Sequence, residues 1–143
     1  MSETLDLNSL CDALSSLCDS LEVVNDSEWF NQQSVKAQNT LIAGVIKNFE
    51  FVYEISIKMI RRRLEFGADI PTDVDKMEFR DLLRSAAEKG LITDVEAWFK
   101  YRKMRNITSH TYDHKKARQV YQDTLVFVDD ASLLLRKLES LNV

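Results

Sequence analysis

The sequence predicts an all-α protein, an up-and-down bundle of four to five helices. Three observations carry that expectation. Only three glycines and one proline punctuate 143 residues, too few turns for a protein of many short strands. Apolar residues recur at spacings of three and four over long stretches, the period of a helix face rather than of a strand. Cap residues also stand where those stretches begin and end.

The elements follow in order. Leu7, Leu10, Leu14, Leu17, Leu21 and Val24 form one stripe, which places a first helix over about residues 5 to 24. The stripe spans fewer than three heptads, so packing within one bundle is favoured over a homodimer seam. Asn25, Asp26, Ser27 and Asn31 read as a connection over 25 to 33, after which a long helix runs from Ser34 to Phe66. It carries two adjacent stripes: Leu41, Val45, Phe49, Val52, Ile55 or Ser56, and Met59; then Ile42, Ile46, Tyr53, Ile57, Ile60 and Leu64. So wide an apolar arc requires more than one neighbour and makes this helix the spine.

Gly67 and Pro71 bracket a turn, with Thr72, Asp73 or Asp75 available to cap a third helix that contains Phe79, Leu82, Leu83, Ala86 and Ala87. Gly90 is placed to end it in a left-handed conformation. Thr93 with Glu96 three residues on is a capping-box pattern for a fourth helix carrying Val95, Trp98, Phe99 and Tyr101. A last helix over about 114 to 140 holds Val120, Tyr121, Leu125, Val128, Leu134, Leu138 and Leu141. The length suits one domain, residues 1 to 143.

With 45% hydrophobic and 29% charged residues the chain is expected to fold rather than to stay disordered. The net charge of −4 argues against a protein that coats nucleic acid, yet its distribution is uneven. Lys100, Arg102, Lys103, Arg105, Lys115, Lys116 and Arg118 face one acid, Asp113, a local excess of +6 that leaves −10 elsewhere. Such a run is either a solvated face or the flank of a phosphate site. Cys11 and Cys18 lie seven apart in one helix, a rise of about 10 Å that no disulfide spans. They are expected to be reduced packing residues, with a redox role as the alternative. The absence of a charged-then-apolar leader and of an apolar run of about 18 residues predicts a soluble, cytoplasmic protein with no membrane partner.

Chemistry concentrates between Arg105 and Tyr112. A rigid, permanently charged guanidinium and an imidazole that titrates near neutral pH suit phosphodiester chemistry without a metal. In a continuous helix Arg105 and His110 would stand about 140° apart and share no site. Thr108, Ser109, Thr111 and Asp113 are poor helix-interior residues and good caps, so the fourth helix is expected to break near Ser109 and the fifth to begin near Asp113. The bland reading makes Arg105 a surface ion-pair residue and His110 a capping donor. His110, Asp113 and His114 offer two histidines four apart but no third histidine or cysteine, so no metal site is expected. Glu54 with Lys58 has the acid-before-base order of a helix-surface pair. The alternative is that Glu50 and Glu54 form a carboxylate face for a partner or a cationic substrate.

The spacing Arg105, four residues, His110, one residue, Tyr112 resembles the signature of the HEPN superfamily of helical proteins. The stretch from Phe49 through Glu50, Phe51, Val52, Tyr53 and Glu54 to Lys58 is similar to that family's long second helix. Residues Ala86 to Trp98, with Glu88, Lys89, Gly90, Leu91, Ile92, Thr93 and Asp94 between them, resemble its third-to-fourth helix connection. Within the superfamily the chain looks like the small nucleotidyltransferase substrate-binding proteins, made beside a separate minimal nucleotidyltransferase. Ile57 departs from the group, which usually shows tryptophan there, and this bears on local packing.

The resemblance implies a homodimer with the two signature segments facing each other, and a two-component, toxin–antitoxin-like system. Arg105 would bind the scissile phosphate of RNA, His110 would act as general acid or base, and Asn106 would orient one of them. Lys103, Lys115 and Lys116 would flank the phosphate path. Tyr112 holds the position of the tyrosine that accepts AMP from the partner enzyme. No cofactor is expected in this chain; ATP and magnesium belong to the partner transferase. The competing implication is a non-catalytic subunit that binds nucleotide or acceptor substrate for the transferase. The chain shows no Gly-Ser and paired-aspartate pattern, so it is not itself expected to transfer nucleotides.

Overall fold

The computed structural model describes residues 4–142, and within them every regular element is helical. Helix α1 (Asn8–Asn25) buries Leu10, Leu14, Leu17, Leu21 and Val24. Leu5 and Leu7, expected inside it, precede it and are buried nonetheless. The expected connection contains a short helix, α2 (Ser27–Asn31), because Asp26 accepts a hydrogen bond from the Trp29 amide and caps it.

Helix α3 (Val35–Gly67) starts at Ser34, whose hydroxyl accepts from the Ala37 amide at 3.1 Å. Its 33 residues span about 50 Å. Both expected stripes contribute buried residues, from Ile42 and Val45 to Ile60 and Leu64, while Leu41, Ile55 and Ile57 lie at the margin. α3 packs against α1, α4, α5, α6 and α7, which confirms it as the spine.

The expected turn after Gly67 is also partly helical. Pro71, with its fixed φ and no amide hydrogen, suits a first helical position and starts α4 (Pro71–Asp75). Thr72, Asp73 and Asp75 therefore lie within α4 and do not cap the next helix. α5 (Phe79–Glu88) has Glu78 at that position, with no side-chain cap. Arg61 of α3 donates to the Val74 carbonyl at 2.9 Å and holds α4 against the spine. Gly90 ends α5 as expected, at φ +77°. The Leu91 amide donates to Ala86 O and the Gly90 amide to Ala87 O, the paired bonds of a left-handed helix stop.

Helix α6 (Val95–Ile107) is capped by Asp94, which accepts from the Ala97 amide at 3.1 Å, and not by Thr93. Its buried residues are Trp98, Tyr101 and Met104. α7 (His114–Leu141) closes the bundle, and its buried line runs through Ala117, Val120, Thr124, Phe127, Ala131, Leu134 and Leu138. The sequence pattern placed Tyr121, Leu125 and Val128 on this face and omitted Phe127, which is fully buried. Beyond α7, Asn142 exchanges two 3.0 Å hydrogen bonds with the Leu5 backbone and ties the two ends together.

One cluster of buried residues runs through all seven helices of the described residues. At its centre the Phe127 ring meets Phe49 at 4.8 Å, Tyr101 at 4.9 Å and Trp98 at 5.9 Å, each edge to face. Such pairs add about 0.5–1.5 kcal/mol each beyond burial. The Tyr101 hydroxyl donates to Asp130, so its polar end is satisfied. Cys11 and Cys18 are unpaired and half-buried, and burial first, then nearby carboxylates, raises both thiols above their ordinary range. No helix among the described residues is long and apolar enough to cross a membrane.

Phe127→Ala is expected to remove the hub of the aromatic cluster and to lower stability by about 3–5 kcal/mol, read from urea unfolding. A loss below about 1 kcal/mol would contradict the central place given to this ring.

Candidate functional site

The segment from Arg105 to Asp113 is shaped by hydroxyl and carboxylate side chains that compete with the helix for backbone groups. Thr108 donates to the Arg105 carbonyl at 2.7 Å, Ser109 to the Asn106 carbonyl at 3.2 Å, and Thr111 to the Thr108 carbonyl at 3.2 Å. The Arg105 and Asn106 oxygens lie in the last turn of a helix, where carbonyls lose their usual i+4 partners, and the Thr108 oxygen lies in the turn that follows. The chain tightens into a 3-10 turn over Thr108–His110, and Asp113 then caps α7 through the Lys115 and Lys116 amides. The break falls where the sequence placed it.

Arg105 lies one residue beyond the buried Met104 and turns toward α3. Its Nε and one terminal nitrogen both donate to Glu54 Oε1, at 2.9 and 2.7 Å. Its other terminal nitrogen donates to Thr108 Oγ1 at 2.9 Å. Glu50 Oε2 stands 3.8 Å away and also 3.5 Å from Lys47. Glu54 raises the already high pKa of Arg105 by its hydrogen bonds, burial opposes, and Glu50 adds to the rise. The Glu54 side chain is 56% exposed, so the pair adds at most about 1 kcal/mol of stability, and its consequence is orientation.

The structure thus joins Glu50 and Glu54 to Arg105, whereas the sequence treated them as separate features. Among the described residues Glu54 makes no ion pair with Lys58. Thr108 was singled out only as a helix breaker; its contact with the guanidinium has no sequence signal beyond the three-residue spacing. His110 and Tyr112 are exposed neighbours, their rings edge to face at 6.1 Å, with Tyr112 79% exposed. Asn106 is exposed. No hydrogen bond links His110 to Arg105 among the described residues.

The basic run divides. Lys100 pairs with Asp123 at 3.4 Å, Arg102 lies over Phe79 at 4.3 Å, and Arg118 lies over Phe30 and donates to Gln38. Lys103, Lys115 and Lys116 are exposed and, among the described residues, make no ion pair. No group of three or more His, Cys, Asp or Glu side chains among those residues is arranged to hold a metal ion.

Residues 5–140 match the family model described as nucleotidyltransferase substrate binding protein like. The chain belongs to this family. A family relative from Haemophilus influenzae, named probable ribonuclease HepT, is 45% identical over 142 residues, covering 99% of this chain and 97% of the relative. A solved Haemophilus influenzae structure, described as revealing the fold of a substrate binding domain of a nucleotidyltransferase, aligns with a TM-score of 0.91 and 46% identity. That alignment covers 94% of this chain and 99% of the solved one. The nucleotidyltransferase substrate-binding fold therefore extends over nearly the whole chain.

Two outcomes are expected. Asp113→Ala removes the cap of α7 and should cost about 1 kcal/mol in urea unfolding, with faster hydrogen exchange at the Lys115 and Lys116 amides. Tyr53, beside Glu54 on α3, has its phenol pushed up from 10.0 to about 12, by burial first, with Arg102 and Arg105 pulling the other way. The folded state keeps a proton that the unfolded chain loses near pH 10, so this contribution is complete below about pH 10 and disappears as pH rises through 12. Thermal melts between pH 9 and 12 should show a shallower decline for Tyr53→Phe than for the unaltered chain.

Proposed function

We propose that this protein is the HEPN-type partner of a separate minimal nucleotidyltransferase in a two-component, toxin–antitoxin-like system, and that it cuts RNA without a metal ion. The observation that carries the reading is the state of Arg105. A guanidinium has five N–H groups. Among the described residues Glu54 and Thr108 take three of them in hydrogen bonds, and Glu50 stands 3.8 Å from the terminal nitrogen that also meets Glu54; the held fork keeps two N–H groups that an outside phosphate can take. Exposed His110 and Tyr112, and Lys103, Lys115 and Lys116, which make no ion pair among the described residues, follow or flank it in the chain.

In the proposed reaction the ribose 2'-oxygen attacks phosphorus, the bond to the 5'-oxygen breaks, and a 2',3'-cyclic phosphate and a 5'-hydroxyl result. Arg105 binds the charged phosphate oxygens, and Asn106 helps orient the reacting groups. His110 either takes the 2'-hydroxyl proton or supplies one to the leaving oxygen. One imidazole in one protonation state does one of these tasks; a homodimer with facing segments supplies a second. The reaction belongs in the cytoplasm, where RNA is available.

Tyr112 is the proposed switch. In the partner's site its phenol oxygen would attack the α-phosphorus of ATP, losing its proton and releasing pyrophosphate, with magnesium held by the transferase. The attached AMP would put a phosphate charge beside His110 and repel the RNA backbone. Exposure of Tyr112 supports access by an enzyme.

A second reading is supported by the two carboxylates near Arg105, which offset its charge. In it the chain is a non-catalytic subunit that presents nucleotide or acceptor substrate to the transferase. Calorimetry on the mixed proteins should then detect a complex and nucleotide binding that neither shows alone; no heat of association rules it out.

For the nuclease reading, the purified chain should cleave RNA in EDTA, and His110→Ala should slow it by about 10²–10⁴-fold. A wild type inert on diverse RNAs removes that reading. With the transferase and ATP, intact-mass spectrometry should show an AMP adduct on the wild type and none on Tyr112→Phe. An adduct that persists in Tyr112→Phe places the acceptor elsewhere.

A further inference from the structure

Thr108 is nearly fully buried, 5% exposed, and its one hydroxyl makes two bonds to the same residue. It donates to the Arg105 carbonyl at 2.7 Å and accepts from an Arg105 terminal nitrogen at 2.9 Å. Ser109 and Thr111 also donate to backbone carbonyls in this turn, but among the described residues neither bonds a side chain. The second bond of Thr108 is therefore not needed to end α6.

A guanidinium is planar, and its direction at the end of a long side chain is otherwise free. Glu54 grips the edge formed by Nε and one terminal nitrogen. That contact alone leaves the plane free to swing about the carboxylate oxygen, since both bonds end on one atom. The Thr108 hydroxyl adds a bond at the third nitrogen and stops the swing. Its position is in turn fixed by the bond to the backbone of the residue it holds.

We propose that Thr108 is a positioning residue of the site: its hydroxyl, working against Glu54, sets the plane of Arg105 so that the remaining N–H groups meet an external phosphate oxygen. The inference rests on Arg105 being the phosphate-binding group, as in the function proposed above. It adds a requirement for a hydroxyl at residue 108, and two substitutions separate that requirement from packing. Thr108→Val keeps the shape and loses both bonds; Thr108→Ser keeps the hydroxyl and loses the methyl group.

The first readout is the Arg105 Nε–H signal in nitrogen–proton NMR spectra of the full chain, which needs no activity. It should be sharp and slowly exchanging in the wild type and in Thr108→Ser, and broadened or lost in Thr108→Val. The second is affinity for a short oligoribonucleotide in a His110→Ala background, so that nothing is cut, expected to fall about tenfold with Val and little with Ser. The third is RNA cleavage, where Val should lower kcat by about 10²-fold, the scale of a misplaced catalytic contact.

An unchanged Arg105 signal in Thr108→Val overturns the proposal, whatever the RNA results. So does a lost signal with affinity and rate intact, or an equal loss in Thr108→Ser. If signal and affinity fall with Val alone while the wild type cuts no RNA, Thr108 keeps its role and only the nuclease reading fails.

Discussion

The edge-to-face packing of Phe127 on Phe49, Tyr101 and Trp98 is the constraint from which the site follows. It joins α7, α3 and α6 at one point and so fixes the rotation of α6 about its own axis. With Trp98, Tyr101 and Met104 turned inward, Arg105 comes next in the helical progression, at the margin of the buried face. On α3 the same logic holds: Phe49, Val52 and Tyr53 face the core, and Glu50 and Glu54 stand at its margin. The guanidinium and the carboxylates meet because two buried faces meet beneath them. A rotation of α6 by one residue, about 100°, would separate them.

The second determinant is local. A helix that continued through residues 108 to 112 would hold Arg105 and His110 about 140° apart. Thr108 and Ser109 end it by offering hydroxyl donors to carbonyls in the last turn of α6, Thr111 does the same for the Thr108 carbonyl just beyond, and Asp113 restarts the helix. The residues that break the helix also serve the site, since the Thr108 hydroxyl reaches the guanidinium. Secondary-structure termination and side-chain orientation are thus one event, written into residues of low helix propensity.

Features set by near neighbours were legible in the sequence. The start of the long helix at about Ser34, Gly90 as a stop, Asp113 as a start and the stripe of α1 all depend on contacts within a few residues. Where two adjacent residues offered the same chemistry, as Thr93 and Asp94 do, spacing favoured the capping box and the structure uses the carboxylate. The five-residue helices α2 and α4 escaped because a single turn carries no periodicity to detect. Phe127 was missed since stepping by three and four from Val120 admits two neighbouring lines, and only the facing aromatic residues select between them. The pairing of Arg105 with Glu54, 51 residues apart, is tertiary and had no local signature.

The electrostatics divide labour between two kinds of cation. Arg105, flanked by Glu50 and Glu54, has little net field at a distance, and its value lies in direction at contact. Long-range attraction for a polyanion must come from groups without internal partners, which Lys103, Lys115 and Lys116 are among the described residues. Under the proposed function, the lysines raise the local concentration of RNA in a salt-dependent way, and the held fork selects one phosphate. A phosphate group added at Tyr112 would act on both: it lowers the field of the lysines and offers Arg105 a competing anion. Its effect is therefore expected to exceed that of steric cover alone, because an uncharged group of the same size would leave the lysines free to gather RNA.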